Sequence, residues 1–231
     1  METWQRKLPD YTFMLWDTQR FPPEKSLWVK QAFECKKYAF AADYIRLFAL
    51  YHYGGIYLDT DVEVVTPYDS LLSLHMMVGL DHNEHDIEAA TWGSEKGNPA
   101  LKVLLDRYDT LQFLNENGEM NLFVMPAFVS KIWSEAGYSL VPVSTKEEAM
   151  EVEKDARKIP VFPRTWFCPQ NFYDFHVLKS QNTFSIHHYK GSWLPEDVQR
   201  ERNILRRLGP YLPRVWRRLQ RYWYRWFPPK K

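Results

Sequence analysis

The sequence predicts an α/β domain in three layers around a mostly parallel central sheet. Three observations carry that reading. Short runs of branched and aromatic residues alternate with segments of helical periodicity. Glycines and prolines punctuate the boundaries between them. The 231-residue chain, 45% hydrophobic and 26% charged, has apolar material for one sizeable core with small additions.

Taken in order, LPDYTFMLWD reads as a turn and then a short strand, with Tyr11, Phe13 and Leu15 on one face, broken at Pro22-Pro23. Residues 26–53 turn helical, since Ala39, Ala42, Ile45 and Ala49 recur at three- and four-residue spacing before Gly54-Gly55 ends the run. IYLDTDVEVV follows as a strand interrupted by acids and closed by Pro67, and MMVGLD gives another short strand. Asn98 and Pro99 open a helix through Leu101, Leu104, Leu105, Tyr108 and Leu111, and a further helix follows Pro126 and stops at Gly137. Strands are expected at residues 138–143, 159–162 and 183–187, and Thr145 with Glu148 forms a capping box for a small helix between them.

Composition excludes several classes. Cys35 and Cys168 are too few for a disulfide scaffold or a thiolate zinc finger and read as free thiols. No apolar run approaches the ~18 residues of a membrane span, and METWQRKLPDY is not a signal peptide, so a cytoplasmic location is expected. The net charge of +1 hides a division: residues 199–231 hold eleven Lys or Arg against one acid, while the preceding residues hold 19 bases against 28 acids. A catalytic or binding domain over residues 1–198 and a basic tail over 199–231 follow. From Leu212, Val215, Trp216, Leu219, Tyr222, Trp223 and Trp226 keep helical spacing, with Arg214, Arg217, Arg218, Arg221 and Arg225 on most of the other face. Such a helix suits the surface of an anionic membrane. Its rivals are packing on the acidic body and contact with nucleic acid, and the acidic remainder, lacking a basic groove, argues against nucleic acid.

Asp59-Thr60-Asp61 is the principal site candidate. At the end of a strand, a turn after Leu58 would bring both carboxylates toward one hard divalent cation that also grips a diphosphate. The bland reading has Asp59 capping a turn and Asp61 facing water. Against it, the acids fall at the carboxyl end of a buried-looking strand, where α/β folds place ligands. Asp43 and Arg46 share one face of the preceding helix. They are either a surface ion pair or, in the apolar setting AFAADYIRLFALYHY, a pair that meets sugar hydroxyls.

The stretch KKYAFAADYIRLFALYHYGGIYLDTDVEVV resembles the DXD-containing sugar-binding region of the family 32-like glycosyltransferases, among them capsular-polysaccharide and lipooligosaccharide sugar transferases. Yeast-type α-1,6-mannosyltransferases and, more distantly, clostridial glucosylating toxins resemble it too. The resemblance runs from Trp4 to about Pro195. It implies a GT-A-like, Rossmann-type fold and a retaining hexosyltransferase that uses a nucleoside diphosphate sugar and Mn²⁺ or Mg²⁺. It places Asp43 and Arg46 against the donor hexose, and Asp59 and Asp61 against the metal and diphosphate. The sixteen residues from Asp43 to Asp59 fit that family. FSIHHYKGSWLPE is similar to the segment that closes the donor site in relatives, matched by His187, Ser192 and Trp193. An imidazole can ligate the cation, and the serine hydroxyl and indole N–H can donate to phosphate. Of the neighbouring histidines, alternation along a strand admits only one to the site, and surface histidines are the competing reading.

Two departures bear on function. Relatives usually begin with an Ile-Pro-Lys-Ile-Ile-His type strand before the part matching METWQRKLPDY, so a missing first strand and an incomplete base-binding wall are expected. Where relatives carry an IxNA-type segment, this chain has Asp86-Ile87-Glu88-Ala89-Ala90, with Glu88 where an amide is expected. Either acid is otherwise an ordinary loop residue. Asn121 receives no role. The expected function is hexosyl transfer to a glycan or glycolipid hydroxyl in surface polysaccharide synthesis, with a peripheral hold on the membrane through the tail. The alternatives are a non-catalytic sugar-binding module and a metal-dependent phosphohydrolase.

Overall fold

The computed structural model describes residues 2–191, 194 and 196–207. Helix α1 (Glu2–Lys7) is tied to the strand region by the Trp4 indole N–H, which donates to the Val62 carbonyl at 2.7 Å. The expected strand after it does not form. Residues 12–17 form no regular element and have no ladder partner, and Phe13, Met14 and Leu15 are exposed. Alternation gave them a strand's pattern, yet no neighbouring strand pairs with them, and the Leu15 carbonyl accepts from the Arg20 side chain at 3.0 Å instead.

The single helical run expected over residues 26–53 is two helices, α2 (Leu27–Glu34) and α3 (Tyr38–Tyr53). Between them Lys36 takes a left-handed φ of 56°, and the Lys37 N–H turns back to the Ala32 carbonyl at 2.8 Å. Helix α3 ends at Gly54, whose φ is +70° and where a Cβ would lie 2.8 Å from the Lys96 nitrogen, so glycine is required there. Strands β1 (Gly55–Leu58) and β2 (Val62–Val64) flank the acidic turn. Next come β3 (Met76–Gly79) and β4 (Thr91–Ser94), the latter not foreseen from its sequence. Helix α4 (Pro99–Asp109) starts as expected, the Asn98 side chain accepting from the Ala100 N–H, and α5 (Met125–Glu135) follows. Then β5 (Ser139–Pro142), α6 (Lys146–Val152) with Thr145 accepting from the Glu148 N–H, and β6 (Lys158–Phe162) complete the middle. The chain continues through α7 (Arg164–Phe167), β7 (Ser185–His187) and α8 (Glu196–Arg207).

Five strands form the central sheet in the order β1-β4-β3-β6-β5. Strand β4 is antiparallel to both neighbours, and β3, β6 and β5 are mutually parallel. Four strands therefore run one way and β4 alone is reversed, so the α/β expectation stands with a mixed sheet. Period-two alternation decides what each face buries. Met76, Val78, Ile159 and Val161 meet Trp28, Trp92, Tyr108 and Trp133 among α2 to α5. Met77 and Phe162 meet Leu8, Tyr68, Trp166, Phe167 and Phe184 on the other side. Separately, β2 and β7 pair antiparallel as a two-stranded ribbon with Val62 opposite His187.

Helix α8 includes the first residues assigned to the basic tail. Arg202, 8% exposed, donates to the Phe172 and Tyr189 carbonyls, and Arg206 donates to those of His188 and Tyr189. The amphipathic stretch expected after Leu212 lies outside the described residues, and no described helix is long and apolar enough to cross a membrane.

Candidate functional site

The acidic turn is built by two backbone bonds. The Asp59 N–H donates to the Ala90 carbonyl at 2.8 Å, continuing the β1–β4 pairing, and the Val62 N–H then turns back to the Asp59 carbonyl at 2.9 Å. That tight turn supplies the bend after Leu58 and brings both carboxylates to one side. Asp59 Oδ1 accepts the Tyr57 hydroxyl at 2.5 Å and lies 3.5 Å from Arg46 Nη2. Asp61 Oδ2 accepts the Lys190 backbone N–H at 2.7 Å. Each aspartate is thus held by partners from the protein itself.

Helix α3 carries Asp43 and Arg46 on its buried face, 9% and 4% exposed. The surface-pair reading fails on that burial. Arg46 Nη2 meets Asp43 Oδ1 at 3.0 Å, its Nη1 donates to the Ala89 carbonyl, and its guanidinium lies over the Tyr57 ring at 4.7 Å. One side chain therefore joins α3, the acidic turn and the segment before β4. Burial pushes the Asp43 carboxyl up to about 7, although Arg46 opposes the rise.

The ribbon brings the third component. His187 Nε2 lies 3.6 Å from Asp61 Oδ1, while Nδ1 lies 3.0 Å from Glu88 Oε1, off the line of a well-formed hydrogen bond. His188 turns the other way, to Glu63 at 3.0 Å and Gln170, so the ribbon admits one histidine to the site as alternation requires. Burial disfavours a charged His187, yet Glu88, Asp61 and Asp59 outweigh it and push the imidazole up to about 9. Burial holds the Glu88 carboxyl above its usual range against the pull of His187.

Ligand atoms of Asp59, Asp61 and His187 lie within 4.8 Å of one another. Two carboxylates and one imidazole make an oxygen-rich donor set that fits a hard or borderline divalent cation such as Mn²⁺ or Mg²⁺. Glu88, Cys168 and His187 form a second close group. There Cys168 is a free, buried thiol engaged by the Tyr189 hydroxyl at 2.7 Å.

Ser192 and Trp193 lie outside the described residues. Asp86 is an ordinary loop acid that accepts from Asn83 at 2.7 Å. Glu88 is not one: it is 1% exposed and faces His187. The parts unread from sequence are the Tyr57 hydroxyl, the Lys190 N–H and the Ala89 carbonyl. Only the position of Tyr57, two residues before Asp59, signalled any of them, because the backbone groups carry no sequence label.

The first third of the chain, with helix α3 and the acidic turn, is similar to a glycosyltransferase sugar-binding region. Residues 1–77 match the family described as "Glycosyltransferase sugar-binding region containing DXD motif". The chain is related to fungal mannosyltransferases. It is 31% identical over 137 residues to mannosyl phosphorylinositol ceramide synthase SUR1 of Saccharomyces cerevisiae, covering 55% of this chain and 35% of that protein. It is 30% identical over 132 residues to inositol phosphoceramide mannosyltransferase 3 of Schizosaccharomyces pombe, covering 54% and 37%. The aligned part spans little more than a third of those relatives. No solved structure matches.

Proposed function

We propose that this chain transfers a hexosyl unit, with retention, from a nucleoside diphosphate sugar to a hydroxyl of a lipid-borne or glycan acceptor. The observation that carries the reading is the convergence of Asp59, Asp61 and His187 on one point beside the Arg46 fork. Those three residues would hold Mn²⁺ or Mg²⁺, and the bound cation would offset charge on the departing diphosphate. Tyr57 and Lys190 keep the two aspartates in place before any ligand arrives, which limits reorganisation during reaction. Asp43 and Arg46 contact the donor hexose as the family resemblance implies, Arg46 from its place against Asp59. The family resemblance also assigns Ser192 and Trp193 to the diphosphate. In the transfer the bond from the anomeric carbon to the diphosphate oxygen breaks, the acceptor oxygen takes its place, and the proton of the acceptor hydroxyl passes to the departing diphosphate.

The relatives' names favour mannose as the hexose and an inositol phosphoceramide-like lipid as the acceptor. That chemistry replaces capsule or lipopolysaccharide as the leading acceptor class. It agrees with a peripheral hold on an anionic membrane through residues 199–231, on the cytoplasmic face in the reading from sequence. A sugar-binding module without turnover is the second reading, favoured by a family match to a sugar-binding region that covers residues 1–77.

Incubation with a panel of nucleotide sugars and Mn²⁺, read by mass spectrometry for free nucleoside diphosphate, separates the two. Turnover is expected with one donor and is lost in folded Asp61→Ala protein. Donor binding without release of nucleoside diphosphate would establish the binding module instead.

A further inference from the structure

Glu88 is a carboxylate at 1% exposure to which the proposed transfer gives no task. Burying such a group without partners is costly, so its surroundings should explain it. Its backbone is pinned by the core: the Trp92 indole N–H donates to the Glu88 carbonyl, and Trp92 stacks on Trp133 at 5.6 Å. Its Oε1 accepts the Ala90 N–H at 2.8 Å and stands 3.0 Å from His187 Nδ1. On the opposite edge of the same ring, Nε2 faces Asp61. The imidazole is therefore suspended between a buried acid and the acidic turn, one nitrogen to each. The Cys168 sulfur, within 4.8 Å of ligand atoms of Glu88 and His187, is engaged by Tyr189 at 2.7 Å and lies 3.7 Å from Asp81.

We infer that Glu88 is a positioning residue for His187. Its carboxylate, 3.0 Å from Nδ1, favours the tautomer that keeps the proton on Nδ1 and leaves the Nε2 lone pair directed at the cation between Asp59 and Asp61. The inference rests on the proposed metal site and adds to it a residue that never touches the metal. Partners of this kind fix the tautomer and the ring plane of a ligating histidine, and their loss commonly weakens metal binding by about 10- to 100-fold.

The test is Mn²⁺ titration of the full chain, by calorimetry, for the wild type, Glu88→Gln, His187→Ala, the double variant and Asp61→Ala. Glu88→Gln should bind Mn²⁺ about 10- to 100-fold more weakly. The double variant should bind no more weakly than His187→Ala alone, since Glu88 acts only through that ring. In ¹⁵N spectra of the Mg²⁺-loaded wild type, His187 should carry its proton on Nδ1, a result that stands even if Glu88→Gln fails to fold. Wild-type affinity in Glu88→Gln, additive losses in the double variant, or a proton on Nε2 would each overturn the inference. If Asp61→Ala loses Mn²⁺ while Glu88→Gln keeps it, only the role of Glu88 falls. If the wild type binds no Mn²⁺, or Asp61→Ala binds it undiminished, the metal site falls and the inference with it.

Discussion

Replacing Arg46 by lysine keeps the charge and removes the fork. In the wild-type protein one guanidinium meets Asp43 at 3.0 Å, Asp59 at 3.5 Å and the Ala89 carbonyl, all at 4% exposure. A lysine ammonium is a point charge on a flexible stem and satisfies only part of that set. Water cannot make up the difference in so buried a place. Losing one charge-assisted bond costs about 1.5–3 kcal/mol, and leaving the Ala89 carbonyl short of its donor adds on the order of 1 kcal/mol. Arg46→Lys should therefore destabilise the fold by about 3 kcal/mol, a large share of the roughly 5–15 kcal/mol that holds a domain together. Arg46→Ala, which leaves Asp43 buried and unpaired, should cost as much as about 5 kcal/mol. Urea unfolding followed by tryptophan fluorescence measures both, with an altered midpoint and an unaltered slope. Mn²⁺ affinity in the same samples should fall, because Asp59 loses one of its two restraints. A lysine variant within about 0.5 kcal/mol of wild type, the range of an ordinary surface change, and with undiminished Mn²⁺ affinity would refute the reasoning.

Gly54→Ala should lose at least about 2 kcal/mol, from a left-handed backbone and a Cβ set 2.8 Å from the Lys96 nitrogen, seen as a lower melting temperature. Asp43 makes stability depend on pH. Because burial raises its folded value from 3.8 to about 7, the contribution is full below 3.8 and is lost as pH rises through 7. The wild-type melting temperature should thus fall more between pH 5 and pH 8 than that of Asp43→Asn, and parallel profiles would show Asp43 ionised throughout. Deleting residues 208–231 should abolish sedimentation with anionic liposomes at low salt, and binding that survives the deletion would place the contact elsewhere.

The acidic turn was legible because its determinants are local. A helix of apolar periodicity, a glycine that must end it, a short strand and two aspartates all lie between residues 38 and 61. His187 was legible by its family-like segment, and alternation along β7 sets it apart from His188. What escaped was whatever depends on distant chain. The bond from Lys190 to Asp61 joins residues 129 apart, and nothing local announces it. Strand β4 reads TWGS, a weak strand pattern, because it is buried throughout and lets Met77 approach Gly93 closely enough to leave a Cβ only 3.0 Å. The alternation at Tyr11, Phe13 and Leu15 misled for the converse reason: periodicity marks a face, and only a neighbouring strand makes it a ladder. Lys36 broke the long helix by adopting a backbone angle that its side chain does not advertise.

The β2–β7 ribbon has a consequence for the chain as it is made. Val62 waits for His187, so Asp59 and Asp61 leave the ribosome long before the histidine that completes their group. Helices α2 and α3 are tied locally, the Trp28 indole N–H donating to the Phe40 carbonyl, whereas the ribbon must close a loop of more than a hundred residues, a slower event paid in chain entropy. On the proposed reading, a nascent chain halted at Gln170 displays both carboxylates and still lacks a finished grip on a nucleotide sugar. Donor is consequently spared from idle cleavage during synthesis, and the first competent molecule is one in which Val62 and His187 have already paired.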